Sequence, residues 1–173
     1  MRQLSSRLVY VNQWLSLRED QVSRADGSRG IYSVVDTSDF ALVMPLEKDG
    51  FHLVEQYRYP VGARSWEFPS GAFPAGVTGT VEELAAAELR EETGFTAGRL
   101  EPIGYLNPSN GISGVGCHVF LATDLTPGPP QREITEQDMR QEWFPRAEVE
   151  RMLRDGVITD GPSIAAYLLL GLR

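Results

Sequence analysis

The sequence is poor in cysteine, in positive charge and in long apolar runs, and each shortage excludes a class of function. Cys117 is the single cysteine among 173 residues, so no internal disulfide framework can form, and a structural thiol in a reducing cytoplasm is the expected reading. Lysine and arginine together number 16 against 24 acidic residues, a net charge of −8. A nucleic-acid polymer is therefore not an expected partner, although metal ions and a few local arginines still allow a small anionic substrate. No apolar run approaches the roughly 20 residues that span a bilayer. The opening MRQLSSRLVY carries no signal-peptide hydrophobic region. A cytoplasmic protein without a membrane partner is expected.

What is present is enough apolar material for one sizeable core: 42% hydrophobic and 23% charged residues suit a single domain over residues 1–173. The first half reads as strands. RLVYVNQWLSLREDQV, from Arg7 to Val22, alternates well enough for one or two, followed by a turn from Arg24 to Gly30. Ile31–Asp36, Phe40–Leu46 and Phe51–Tyr59 read as three more, the last two joined by a short hairpin turn at Glu47–Gly50. Tyr10 and Trp14 are aromatics that pack on a sheet or stack on a base. After a Gly- and Pro-containing loop from Gly71 to Thr80, strands are expected at Arg99–Leu106 and Gly116–Ala122, flanking a loop from Asn107 to Gly114. TPGPP, from Thr126 to Pro130, is an extended connector, and a short strand follows at Gln141–Phe144. The chain closes with helices at Arg146–Arg154 and Ser163–Leu172, the second apolar nearly all round and so expected to be buried or interfacial. Short strands with three helices indicate an α+β class.

The stretch that organises the rest is TGTVEELAAAELREETGF, from Thr78 to Phe95. Thr78 or Thr80 caps a helix, Glu82 and Glu83 stand at its positive end, and Gly94 supplies the left-handed residue that stops it. Spacings of three and four place Glu88, Glu91 and Glu92 on one face, while Ala85 and Leu89 turn to another. Three carboxylates on one face either stand in water or repel one another until a cation comes between them. Hard oxygen donors suit Mg²⁺ or Mn²⁺.

This segment resembles the signature of the Nudix hydrolases, which runs Gly, five residues, Glu, seven residues, then Arg-Glu-apolar-any-Glu-Glu-any-Gly-apolar. Anchored on Glu91-Glu92-Thr93-Gly94-Phe95, the match places Glu88 and Leu89 correctly. The signature arginine falls on Ala87, the earlier glutamate on Gly79, and Gly71 lies two residues further from the helix than the signature has it. Upstream, VEQYRYPVGARSWEFPSG, from Val54 to Gly71, resembles the ADP-ribose pyrophosphatase branch of that family, so that the likeness covers about forty continuous residues.

The resemblance implies a Nudix-type α/β/α sandwich with a mixed central sheet, the glutamate helix on one side and the terminal helices on the other. It implies Mg²⁺ or Mn²⁺ held by Glu88, Glu91 and Glu92, with help from the backbone carbonyl of Ser70. Arg58 would contact the phosphates with Glu67 near the site, although the same two residues make a structural ion pair equally well. A base that activates water is implied in the acidic loop, with Glu136 first, then Glu133 and Asp138. The implied reaction is hydrolysis of the pyrophosphate bond in a nucleoside diphosphate linked to another moiety, ADP-ribose or another nucleotide sugar such as GDP-mannose. The losses at Ala87 and Gly79 leave a catalytically weak nucleotide-sugar binder or sensor as the alternative. A homodimer through the N-terminal strands is implied as well.

Overall fold

The computed structural model describes residues 1–73 and 77–173. It opens with an antiparallel meander, β1 (Arg2–Val11), β2 (Ser16–Ser23) and β3 (Arg29–Asp36), which forms a separate three-stranded sheet in the order β1-β2-β3. The expected run from Arg7 to Val22 is thus two strands. Asn12 makes the break between them, because its Oδ1 accepts the N–H groups of Trp14 (2.8 Å) and Leu15 (2.9 Å). The meander is tied to the rest of the chain where Val35 N–H donates to the carbonyl of Ile112 (2.9 Å) and the Tyr32 hydroxyl donates to that of Gly111 (2.7 Å).

The second sheet is mixed. Its strands are β4 (Phe40–Glu47), β5 (Gly50–Arg58), β6 (Ala63–Glu67), β7 (Ser70–Ala72), β8 (Thr96–Leu106), β9 (Cys117–Thr126) and β10 (Arg140–Pro145). The main path runs β10-β5-β4-β9-β8, with β6 on β5 and β7 on β4. β4 and β9 run parallel, and the other pairs antiparallel. Strand β4 is buried on both faces, so its alternate residues build two cores. Leu42 and Met44 join Phe51, Leu53 and Val119 beneath the helices α2 (Arg146–Arg154) and α3 (Gly161–Gly171), which contribute Val149, Met152 and Ala166. Ala41 and Val43 join Phe120 and Ala122 beneath α1 (Val81–Glu88), which contributes Leu84 and Ala85. The result is the expected α/β/α sandwich of α+β class.

One element differs from the sequence expectation. The loop expected from Gly71 begins later, because Ser70–Ala72 adds to β4 with Ala41 opposite Gly71; three residues of backbone pairing leave no periodicity to read. The part of that loop at 74–76 lies outside the described residues. Helix α3 buries Ser163 and Ala166 but exposes Ile164 and Leu168, so its apolar surface is only partly used within the chain. Among the described residues, no helix is long and apolar enough to cross a membrane.

Candidate active site

Helix α1 starts as its cap chemistry requires. Glu83 N–H donates to Thr80 Oγ1 (3.1 Å), and Thr80 N–H donates back to Glu83 Oε2 (2.8 Å), a reciprocal capping box. Thr80, rather than Thr78, is therefore the cap. The other end departs from α geometry: Leu89–Thr93 forms a π-helical turn, closed by Gly94 at φ 81°. Such wide turns occur frequently at functional sites. In this one the Thr93 hydroxyl donates to the carbonyl of Leu89.

The three glutamates of this stretch lie at different depths. Glu88 and Glu91 face a cavity of about 100 Å³, completed by Gly71, Ala72, Glu133 and Glu136. Glu92 is turned inward and is only 1% exposed. Its Oε2 accepts the Ser70 N–H at 3.3 Å, while its Oε1 is buried without a partner among the described residues. β7 approaches the helix so closely that a Cβ on Gly71 would stand 2.5 Å from the Glu88 carboxylate oxygens. A glycine at 71 is what gives Glu88 its space. Among the described residues no three His, Cys, Asp or Glu side chains stand together as a ready metal-ligating set.

Burial and like charge act on these carboxylates in the same direction. Burial, reinforced by the charges of Glu91, Glu136 and Glu133, pushes Glu88 up to about 8. Burial, then Glu88, Glu136 and Glu67, hold Glu92 well above the carboxylate range. Glu67 and Glu136 are raised as well, burial again the largest cause. Arg58 is the cation that offsets the rise at Glu67, Glu92 and Glu136. Its Nε lies 3.0 and 3.2 Å from the two oxygens of buried Glu67 on the neighbouring strand β6. The ion pair is therefore present, and the Arg58 side chain is still 40% exposed and lines a second cavity.

That second cavity, about 600 Å³, is lined by Gln56, Tyr57, Arg58, Tyr59, Arg64 and Asp138 and shares Glu136 with the carboxylate pocket. A third, about 320 Å³, lies on the other side, with Gln13, Trp14, Thr37, Ser38 and Phe73, and shares Ala72 and Glu133. The carboxylates thus occupy the middle of a longer depression. Among the acids of the 133–138 loop, Asp138 is already engaged: Arg64 donates to its Oδ2 at 2.6 Å and to its carbonyl at 3.0 Å, holding it below the usual range. Glu136 faces Glu88 and Glu92 electrostatically, and its Oε2 accepts the Glu133 N–H at 3.3 Å.

Reading the sequence missed Gly71 and Ala72 as walls of the pocket and Arg64 and Arg132 as anchors of the acidic loop. An arginine directly before three closely spaced acids was the available signal for Arg132.

Comparison with known proteins agrees with this geometry. The NUDIX domain profile matches residues 37–167, and that of the nucleoside diphosphate sugar hydrolase N-terminal domain matches residues 1–35. The chain is 33% identical over 168 residues to the ADP-ribose pyrophosphatase of Mycobacterium tuberculosis, covering 95% of this chain and 80% of that protein. It is 27% identical over 136 residues to the ADP-ribose pyrophosphatase of Bacillus subtilis, covering 78% and 72%. The crystal structure of an ADP compounds hydrolase superposes with a TM-score of 0.85 at 20% identity, covering 98% of this chain and 91% of that one.

Proposed function

The chain belongs to the NUDIX family, as a hydrolase of the pyrophosphate bond in nucleotide-sugar compounds, and we propose that its substrate is ADP-ribose or a close analogue. The observation that carries this reading is a carboxylate pocket set between an arginine-bearing cavity and a tryptophan-bearing one. Such a layout suits a diphosphate flanked by a sugar and a base.

The residues fit a divalent cation. Glu92 has a buried oxygen without a partner, Glu88 is strained by its acidic neighbours, and the donors are all hard oxygens. Glu88, Glu91 and Glu92, with the Ser70 carbonyl, would hold Mg²⁺ or Mn²⁺. When bound, the ion supplies positive charge to the pyrophosphate oxygens and lowers the pKa of water. Glu136, raised by burial yet open to two cavities, takes the proton of the attacking water. Arg58 binds a phosphate oxygen, and Glu67 fixes the direction of its guanidinium. Trp14, 68% exposed, offers its ring to the base.

In this reading residues 1–173 work as one unit, because Trp14, from the connection between β1 and β2, lines the same cavity as Ala72 of β7. The exposed apolar side chains of β1 form the contact of a cytoplasmic homodimer. Incubation with ADP-ribose, GDP-mannose, dinucleoside polyphosphates and nucleoside triphosphates, with and without Mg²⁺ or Mn²⁺, tests the assignment. AMP and ribose 5-phosphate should appear from ADP-ribose only when the metal is present. Binding without turnover would favour the sensor alternative, for which the losses at Ala87 and Gly79 are the motive.

A further inference from the structure

The last carbonyls of a helix have no donors within it and must find them elsewhere. Here the donors come from the segment before the acidic loop. Gln131 N–H donates to the carbonyl of Glu91 (2.9 Å), and Arg132 Nε donates to that of Glu92 (3.2 Å). The same guanidinium donates through Nη1 to the carbonyl of Met139. Arg132 therefore stands at the start of the 133–138 loop and grips its end, while holding both to the π-helical turn. Within the loop, Gln137 Nε2 donates to the carbonyls of Arg132 (3.0 Å) and Glu133 (2.9 Å), and Met139 N–H donates to that of Glu136 (2.9 Å). Gly94 allows the close approach, since a Cβ there would overlap the carbonyl of Gly128.

We propose that Arg132 is a positioning residue for the hydrolysis: by joining the Glu92 and Met139 carbonyls, it holds Glu136 in register with Glu88 and Glu92. The proposal rests on the reading of Glu136 as the base. It answers a question raised by Ala87, where the family signature has an arginine: in this chain a guanidinium reaches the carboxylate helix from about forty residues downstream. A bidentate grip on two carbonyls is a task for the planar fork of arginine, which lysine does not reproduce. Small displacements of a base are costly, with about 1 Å enough for about a hundredfold.

The test compares Arg132→Met, which keeps an apolar stem, and Arg132→Lys with Glu136→Gln and the double variant Arg132→Met/Glu136→Gln. Arg132→Met should lower kcat on ADP-ribose by about thirtyfold, with KM changed less than about threefold. Once Glu136 is gone, Arg132→Met should cost less than about threefold, because the residue acts through that carboxylate. In the metal-free protein, amide exchange over residues 133–139 should quicken by at least about tenfold, while Val81–Glu88 keeps its protection. Arg132→Lys should lie between Met and the unaltered protein, and it serves alone if the Met variant does not fold. Full activity of both Arg132 variants beside an impaired Glu136→Gln overturns the positioning role alone. So do losses that multiply independently, or exchange that does not change. Full activity of Glu136→Gln overturns the base reading and the positioning role with it.

Discussion

Strand β4 in the middle of the sandwich and strand β1 at the edge of the N-terminal sheet are of similar length, yet Ala41 to Pro45 of the first are buried while every residue of the second is exposed. β1 is not polar for that reason. Leu4, Leu8, Val9, Tyr10 and Val11 all stand in solvent, as does Trp14 just beyond it. One sheet has completed its core within a single chain, and the other presents apolar surface that a single chain leaves open. The candidate site draws on both. Its carboxylates hang from the finished sheet and its helix, and the aromatic wall at Trp14 belongs to the open one.

Placing a charge in each sheet gives the strongest contrast. Val43→Asp puts an unpaired carboxylate between β4 and α1 and should cost at least about 4 kcal/mol, enough to abolish soluble folded protein. Leu8→Asp should leave the stability of the isolated chain within about 0.5 kcal/mol while dissociating the proposed dimer in sedimentation experiments. An unchanged mass for the Leu8 variant would remove β1 from the dimer contact.

Chemistry should divide in the same way. Glu92→Gln, on the finished side, should lower kcat by at least about a hundredfold, without unfolding the protein, since the amide is neutral like the protonated carboxyl that burial favours there. Full Mg²⁺-dependent turnover would end the metal assignment. Trp14→Ala, on the open side, should raise KM about tenfold through lost stacking, with kcat within about twofold. An equal loss in both constants would mean that Trp14 holds the fold of the site rather than the base.

The smallest effect is a pH slope. Glu88, pushed up to about 8 by burial first and then by Glu91, Glu136 and Glu133, keeps its proton in the folded chain at pH values where the unfolded chain has released it. The stabilisation this gives the metal-free protein is complete below the ordinary carboxylate pKa and is lost as pH rises through about 8. Its melting temperature should therefore fall by a few degrees from about pH 6 to about pH 9, and added Mg²⁺ should flatten that fall by replacing the proton. A metal-free melting temperature that rises over the same interval would contradict the crowded-carboxylate picture.

Much of the scaffold was readable because it rests on local rules. The β4–β5 hairpin announces itself by two apolar runs around a short turn, and α1 by its threonine cap and closing glycine. What escaped depends on contacts far apart in the chain. The count of three and four that puts Glu91 and Glu92 on one face with Glu88 assumes α geometry and says nothing of depth; the stretch is a π-helical turn, held by contacts at Ser70, Gln131 and Arg132, with Glu92 buried and Glu91 at the cavity. Arg58 and Glu67 were recognised as partners or as site residues, and the structure shows the ion pair and the cavity exposure together. For α3 the sequence left two fates open, buried or interfacial. Apolar composition alone does not say how much of a helix its own chain covers, and Ile164 and Leu168 are left open.

The crossing of Gly94 and Gly128 carries a consequence for how this chain tolerates insertions and deletions. Connectors at the surface usually accept added residues, and TPGPP, with its three prolines and a glycine, has the composition of a permissive one. Here the connector is a measured length of chain. It is pinned where Gly128 meets Gly94 and again where Gln131 meets the carbonyl of Glu91. One residue added or removed between those pins would offset the acidic loop against the helix by up to about 3.6 Å, several times what a proton-transfer geometry forgives. This exposed stretch should tolerate length changes less well than the hairpin tip at Asp26–Gly27 in the N-terminal sheet.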